Sequence, residues 1–275
     1  MFFKHFKYPL FLIAFITLVS CSEFQQILRD TDVDAKYKLA EDLYKEGKYK
    51  KALQVMEQIV PLYRGRPEAR ELMYMYANTF YNLKDYYLAA YQFERFETSY
   101  PNSDSVQEAA FKAAKSYYQV SPRFSLDQKD TKEAMQKLQN FVNKYPESTQ
   151  LQEANALVNE LKEKLEEKDI EVAHQYLKTA EYLGSFKPAI KAYENFILNH
   201  PGSKYREDAF FGKFKAAYLR AIKSIPSQVS IRLEEALEHY KGYIKYYPEA
   251  NQKEEVDKIL SDIETRMNAQ ATTKP

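Results

Sequence analysis

The chain has 275 residues, with 40 Lys and Arg against 39 Asp and Glu, 24 tyrosines, 17 phenylalanines, no tryptophan and one cysteine. The cancelled charge gives no field of one sign to hold a polyanion, so no nucleic-acid partner is expected, and a single sulfur excludes both an internal disulfide framework and a thiolate-cluster metal site. Only 6 glycines accompany the many large rings, which favours helices with adhesive faces, gathered in one elongated repeat array rather than in separate cores.

Lys4, His5 and Lys7 precede an apolar run at residues 10–19. A charged start and a stretch too short to span a bilayer comfortably mark residues 1–20 as a secretory signal. The run ends in Leu18-Val19-Ser20-Cys21, which resembles the lipobox of bacterial lipoproteins, and Cys21 is therefore the expected lipidation site. Acyl chains contribute about 0.8 kcal/mol per buried methylene, enough to hold a short polar tether at residues 21–33 beside the membrane. Ser22, where aspartate would signal inner-membrane retention, resembles an outer-membrane address.

Beyond residue 33, apolar residues recur at helical spacing almost to the end, which predicts an all-α chain. The first helices match at a period of 37: Tyr37, Tyr74 and Phe111; Ala40, Ala77 and Ala114; Leu43, Phe80 and Tyr117; Tyr44, Tyr81 and Tyr118. A period this close to 34 predicts a tetratricopeptide-repeat superhelix of about five helical hairpins. Four segments share one ending, with an aromatic ring five residues before a proline at Phe96, Phe141, Phe196 and Tyr243, and an alanine seven residues before each ring at Ala89, Ala134, Ala189 and Ala236. Two helical turns thus separate a small contact from a large one on the same face, and the proline stops each helix. These marks place a first repeat group at 34–147, a joining helix and second group at 148–268, and a flexible tail at 269–275.

Two irregularities stand out. Residues 121–130 form an inserted loop, a place where repeat proteins often bind. Residues 149–182 contain no breaker and predict one joining helix of about 50 Å at 1.5 Å per residue; its charged middle, residues 162–169, reads most simply as a solvated face with salt-bridged neighbours, partner docking being the alternative.

On a helical wheel Tyr37 and Tyr44 lie about 20° apart, whereas the midpoint of Ala40 and Leu43 is roughly 100° away. The alanines are expected to let helices approach, and the ladder Tyr37, Tyr44, Tyr74, Tyr81, Phe111 and Tyr118 to line a groove for an extended or helical peptide. Packing between repeats is the alternative role for any single ring, because repeat packing and binding surfaces favour tyrosine for the same amphipathic reason. Catalytic constellations are missing from the pattern: His174, His200 and His239 are widely separated, and no H-E-x-x-H, G-x-S-x-G or P-loop sequence occurs. No enzyme activity, metal or cofactor is expected.

The signal, the lipobox, the repeats ending in Tyr-Pro-x-Ser, the long third loop and the segment running from Leu161-Lys162-Glu163-Lys164-Leu165 to Val172-Ala173-His174-Gln175-Tyr176 together resemble the BamD family of outer-membrane assembly lipoproteins. That resemblance implies a periplasm-facing protein, lipid-anchored to the outer membrane, whose partners are a BamA-like barrel insertase and unfolded outer-membrane proteins. It further implies that the tyrosine ladder receives substrate, and that the joining helix docks the insertase near Lys164, Glu171 and Tyr176. Lys164 stands where the family is expected to carry a basic residue, and a lysine lacks the bidentate fork of an arginine. Alternatives are a periplasmic scaffold organising envelope constriction or peptidoglycan synthesis, and a glycan-binding lipoprotein of the SusD type, whose tryptophan platforms are absent here.

Overall fold

The computed structural model describes residues 24–272, and no strand occurs among them. The signal segment and Cys21 lie outside the described residues. Helices α1 (Val33–Lys45), α2 (Tyr49–Ile59), α3 (Ala69–Asn82), α4 (Tyr86–Ser99), α5 (Val106–Val120) and α6 (Lys129–Lys144) are followed by the joining helix α7 (Leu151–Leu183), then α8 (Lys187–Asn199), α9 (Arg206–Ile222), α10 (Pro226–Tyr246) and α11 (Lys253–Thr272). The chain divides into two compact units. The first comprises α1 to α6 with the opening of α7 to Val158, and the second comprises residues 123–128 with α7 from Asn159 onward and everything after it.

Local chemistry explains the helix ends. Asp32 Oδ1 accepts from the backbone N–H groups of Asp34 and Ala35, 3.0 Å each, and starts α1. At its far end Gly47 takes φ 72°, and the Lys48 N–H donates to the Leu43 carbonyl at 2.9 Å, closing the helix through a left-handed residue. The α3–α4 turn repeats that geometry with Lys84 at φ 63° and Asp85 N–H donating to Phe80 O at 3.0 Å. In the Pro-x-Ser endings the serine closes the turn that leads into the next helix: Ser103, Ser148 and Ser203 accept, through Oγ, the backbone N–H two residues on, at 3.2, 3.3 and 3.2 Å.

Packing follows the register read from the sequence. Ala89, Ala134, Ala189 and Ala236 are fully buried, and Phe96, Phe141, Phe196 and Tyr243 are no more than 4% exposed. Ala40, Ala52 and Ala77 are also fully buried, so backbones meet where the side chain is a single methyl. In the second unit Gly212 lies tight against buried Tyr193, whose ring an added Cβ would overlap.

The predicted rod is one 33-residue helix, α7. Its charged middle carries the expected salt-bridged neighbours, Glu163 with Lys204 at 2.7 Å and Asp169 with His200 at 2.9 Å, but Glu166 is buried rather than solvated. The inserted loop is folded onto this helix. Gln128 donates its side-chain amide to the carbonyls of Arg123 and Leu126, 2.9 Å each, and Lys168 of α7 donates to Leu126 O at 2.6 Å. Residues 24–29, placed in the tether by their polarity, are helical, and Phe24 is buried against the core around Ala40, Ala52 and Val55. One aromatic ring with an apolar surface to cover outweighs the polar residues flanking it.

Candidate functional site

In the first unit α1, α3 and α5 carry the tyrosine ladder. Tyr37, Tyr44, Tyr74, Tyr81 and Tyr118 are half-buried, and several have rings against a neighbouring element. Tyr37 stacks on Tyr63 at 5.2 Å; Tyr74 meets Phe93 and Phe96 at 6.1 and 5.2 Å; Tyr81 meets Tyr86 and Phe93 at 5.5 and 6.3 Å; and Tyr44 meets Tyr49 at 5.6 Å. Each therefore packs with part of its surface and keeps part of it open, as an amphipathic ring can. Phe111 differs. It is 5% exposed, with its ring 5.3 Å from that of Phe141, and lies in the core between α5 and α6 rather than lining a surface. Without a hydroxyl, a ring at this column has no reason to stay at the water boundary.

Tyr74, and through Asn82 also Tyr44, joins a polar network that helical periodicity did not reveal. Lys112 Nζ donates to Asn78 Oδ1 at 2.7 Å, pairs with Glu108 at 2.8 Å and lies 5.5 Å from the centre of the Tyr74 ring. Buried Asn78 donates to Tyr74 O at 2.8 Å, and Asn82 donates to Asn78 O at 2.8 Å. Burial alone would raise the Glu108 carboxyl, but hydrogen bonds from Lys112 and Tyr74 outweigh it and hold the group below its ordinary value. Burial, followed by the Glu108 contact, raises the Tyr74 phenol. Tyr63, likewise missed, donates to Asp34 Oδ1 at 3.1 Å while Arg66 pairs with the same carboxylate at 2.8 Å; burial first, then Asp34, pushes its phenol up to about 12. A signal for these groups was present: Asp34, Glu71 and Glu108 form an acidic column at the same period of 37.

In the second unit the residues singled out on α7 occupy different sides. Lys164 and Glu171 are half-buried and, seven positions apart, share a side of the helix, whereas Tyr176 lies about 140° round from Glu171. Burial lowers the Lys164 amine, with Glu160 acting against it. Glu171 lies 3.7 Å from His174 Nδ1, and His174 Nε2 meets Asp208 of α9 at 3.1 Å. Tyr176, 49% exposed, lines a cleft of about 260 Å³ between α7 and α8 with Val172, Asn195, Asn199 and His200. Its lining joins apolar Val172, Tyr176, Ala192 and Phe196 to the amides of Asn195 and Asn199 and to the Asp169–His200 pair, a mixed wall that suits a partner's side chain. No cluster of three or more His, Cys, Asp or Glu able to hold a metal is found among the described residues.

Short helices packed in consecutive pairs, closed by Tyr-Pro turns and presenting aromatic faces, define a tetratricopeptide-type repeat protein. A family model described as YfiO, outer membrane lipoprotein, matches residues 29–187, and this chain belongs to that family, in agreement with the BamD-type resemblance of its residues. A curated relative is the outer membrane protein assembly factor BamD of Caulobacter vibrioides, 22% identical over 193 residues, or 70% of this chain; the match spans 62% of the length of that relative. Among solved structures, the TPR2AB domain of yeast Sti1 in its pHSP90 complex is 15% identical, with TM-score 0.40, over 84% of this chain and 98% of its own. A putative kinesin light chain of Podosopora anserina with TPR-like repeats is 13% identical, with TM-score 0.32, over 80% and 97% respectively.

Proposed function

We propose that this protein is a lipid-anchored component of an outer-membrane β-barrel assembly machine, acting by binding and without catalysis. Acylated Cys21 fixes it to the membrane. The first unit receives aromatic-rich terminal strands of unfolded barrel proteins along the open surfaces of Tyr37, Tyr44, Tyr74 and Tyr81. The second docks a BamA-like insertase on α7, with Tyr176 and Val172 as apolar anchors and Lys164 and Glu171 on the adjoining side. The observation that carries the reading is the exposed Val172–Tyr176 pair beside a ready-made cleft on a family member whose relative is named as an outer-membrane assembly factor: buried aromatic anchors set in pockets dominate protein interfaces.

The test is affinity isolation of the full-length lipoprotein from membranes, with quantitative mass spectrometry. A barrel insertase is expected among the recovered proteins, and Tyr176→Ala should lower its yield about tenfold or more, the usual cost of truncating an anchor being about 2 kcal/mol. Lys112→Glu should instead lower recovery of unfolded barrel proteins. An isolate without any insertase would defeat the assignment.

A further inference from the structure

The first turn of α9 carries Arg206, Glu207 and Asp208, and two of the three are engaged within the protein. Glu207 accepts from the Asn251 N–H at 2.7 Å and from the Tyr243 hydroxyl at 3.2 Å, while Asp208 holds His174. The Arg206 guanidinium makes no ion pair or hydrogen bond among the described residues, and its Nε is shielded from water without a partner. Its guanidinium carbon lies 5.0 Å from the ring centres of both Phe210 and Tyr246, and those rings are 5.4 Å apart. The cation thus rests on an aromatic pair. Exposed Lys245 brings a second charge, 6.0 Å from the Tyr246 ring, and Tyr246 itself is 55% exposed. Glu249, three residues further on, is exposed and forms no ion pair with Arg206.

Packing of the repeat does not explain these residues. Counted from the proline that ends the preceding hairpin, the positions equivalent to Arg206 hold Val106, Leu151 and Lys253, and those equivalent to Tyr246 hold Ser99, Lys144 and Asn199, so no other hairpin places a cation and an aromatic ring at both positions. An arginine whose guanidinium is steadied on two rings, shielded at Nε and lacking a counter-ion, is prearranged to receive an anion, and its planar fork matches a carboxylate. Arginine and tyrosine together are also the side chains that dominate protein interfaces.

We infer that Arg206, propped on Phe210 and Tyr246 and flanked by Lys245, is a docking point for an aspartate or glutamate side chain on a protein partner. This rests on the reading of the second unit as a docking module, but it fixes a different surface from the α7–α8 cleft and a different chemistry of contact.

The full-length lipoprotein carrying a photo-crosslinking phenylalanine analogue at position 249 is irradiated in intact envelopes, and the joined peptide is sequenced. The expected adduct is a protein segment containing Asp or Glu. Arg206→Glu should cut its yield at least tenfold, and exchanging the partner's acid for arginine should restore it. If Arg206→Glu disturbs folding, Lys245→Glu, on the exposed rim, decides in its place with the same direction and a smaller loss. An adduct insensitive to either charge reversal, an adduct to phospholipid alone, or no adduct overturns the inference. The identity of the partner speaks to the assembly reading separately: an acidic segment from a protein other than an insertase would sustain the Arg206 site while counting against that reading.

Discussion

The two units solve the same packing problem and leave different surfaces. Among the described residues, the exposed large apolar side chains of the first unit are Leu62, Tyr87, Leu88 and Tyr91, whereas the second has nine, among them Val172, Tyr176, Tyr182, Leu183, Ile225 and Tyr246. The first unit keeps its repeat columns in register and sets Tyr74 in a polar network with Lys112, Asn78 and Glu108. The second departs from the repeat at Arg206 and Tyr246 and carries its apolar residues outward. A surface of half-buried rings beside a polar network suits varied extended chains, whereas exposed apolar anchors beside a cleft suit one defined partner.

The largest expected effect tests how far the first unit depends on its repeat ending. Phe96 is fully buried and touches Tyr74 and Tyr100, so Phe96→Ala should cost about 3–5 kcal/mol in denaturant unfolding, with hydrogen-exchange protection falling most in α3 to α5. A loss below about 1 kcal/mol would mean that this column does not organise the unit.

In the second unit the sharpest constraint is the contact of Gly212 with Tyr193. Gly212→Ala should destabilise by about 1–3 kcal/mol despite its better helix propensity, because a fully packed ring has nowhere to move. Unfolding midpoints of the variant and the parent protein check this, and a stabilised variant would refute it.

A smaller effect concerns His174. The hydrogen bond to Asp208, outweighing burial, and then the Glu171 charge raise its imidazole above the ordinary 6.5. A group whose folded pKa is raised contributes stability that is fully present below the unfolded pKa and fades as pH rises through the folded value. The advantage of the parent protein over His174→Gln should therefore be greatest below pH 6.5 and shrink at alkaline pH. Melting curves across that range, with the first unit unaffected, sharpen the contrast between the halves; an advantage that grows with pH would contradict the geometry.

Much of the fold was legible because helical periodicity and proline are local. An alanine seven residues before an aromatic ring, and a proline five after it, specify which stripe is buried and where the helix stops, and Ala89 with Phe96 and Ala189 with Phe196 obey that rule in different units. The tyrosine column was legible as a column, but its half-buried state was not, since exposure depends on what the neighbouring hairpin brings to each ring. Phe111 shows the difference: in register with Tyr37 and Tyr74, it is drawn into the core by Phe141.

The amino-acid sequence by itself determined the all-α class, the repeat register, the joining helix and the family to which the chain belongs, because each is written in spacing along one strand of polypeptide. Only the tertiary structure decided that Lys112 would meet Asn78, that Lys168 would fasten the inserted loop, and that Arg206 would rest on Phe210 and Tyr246 without a counter-ion. Many of these contacts join residues some thirty to forty positions apart, or turn on the fine offset between hairpins, and that offset is set by how side chains interlock rather than by any local pattern.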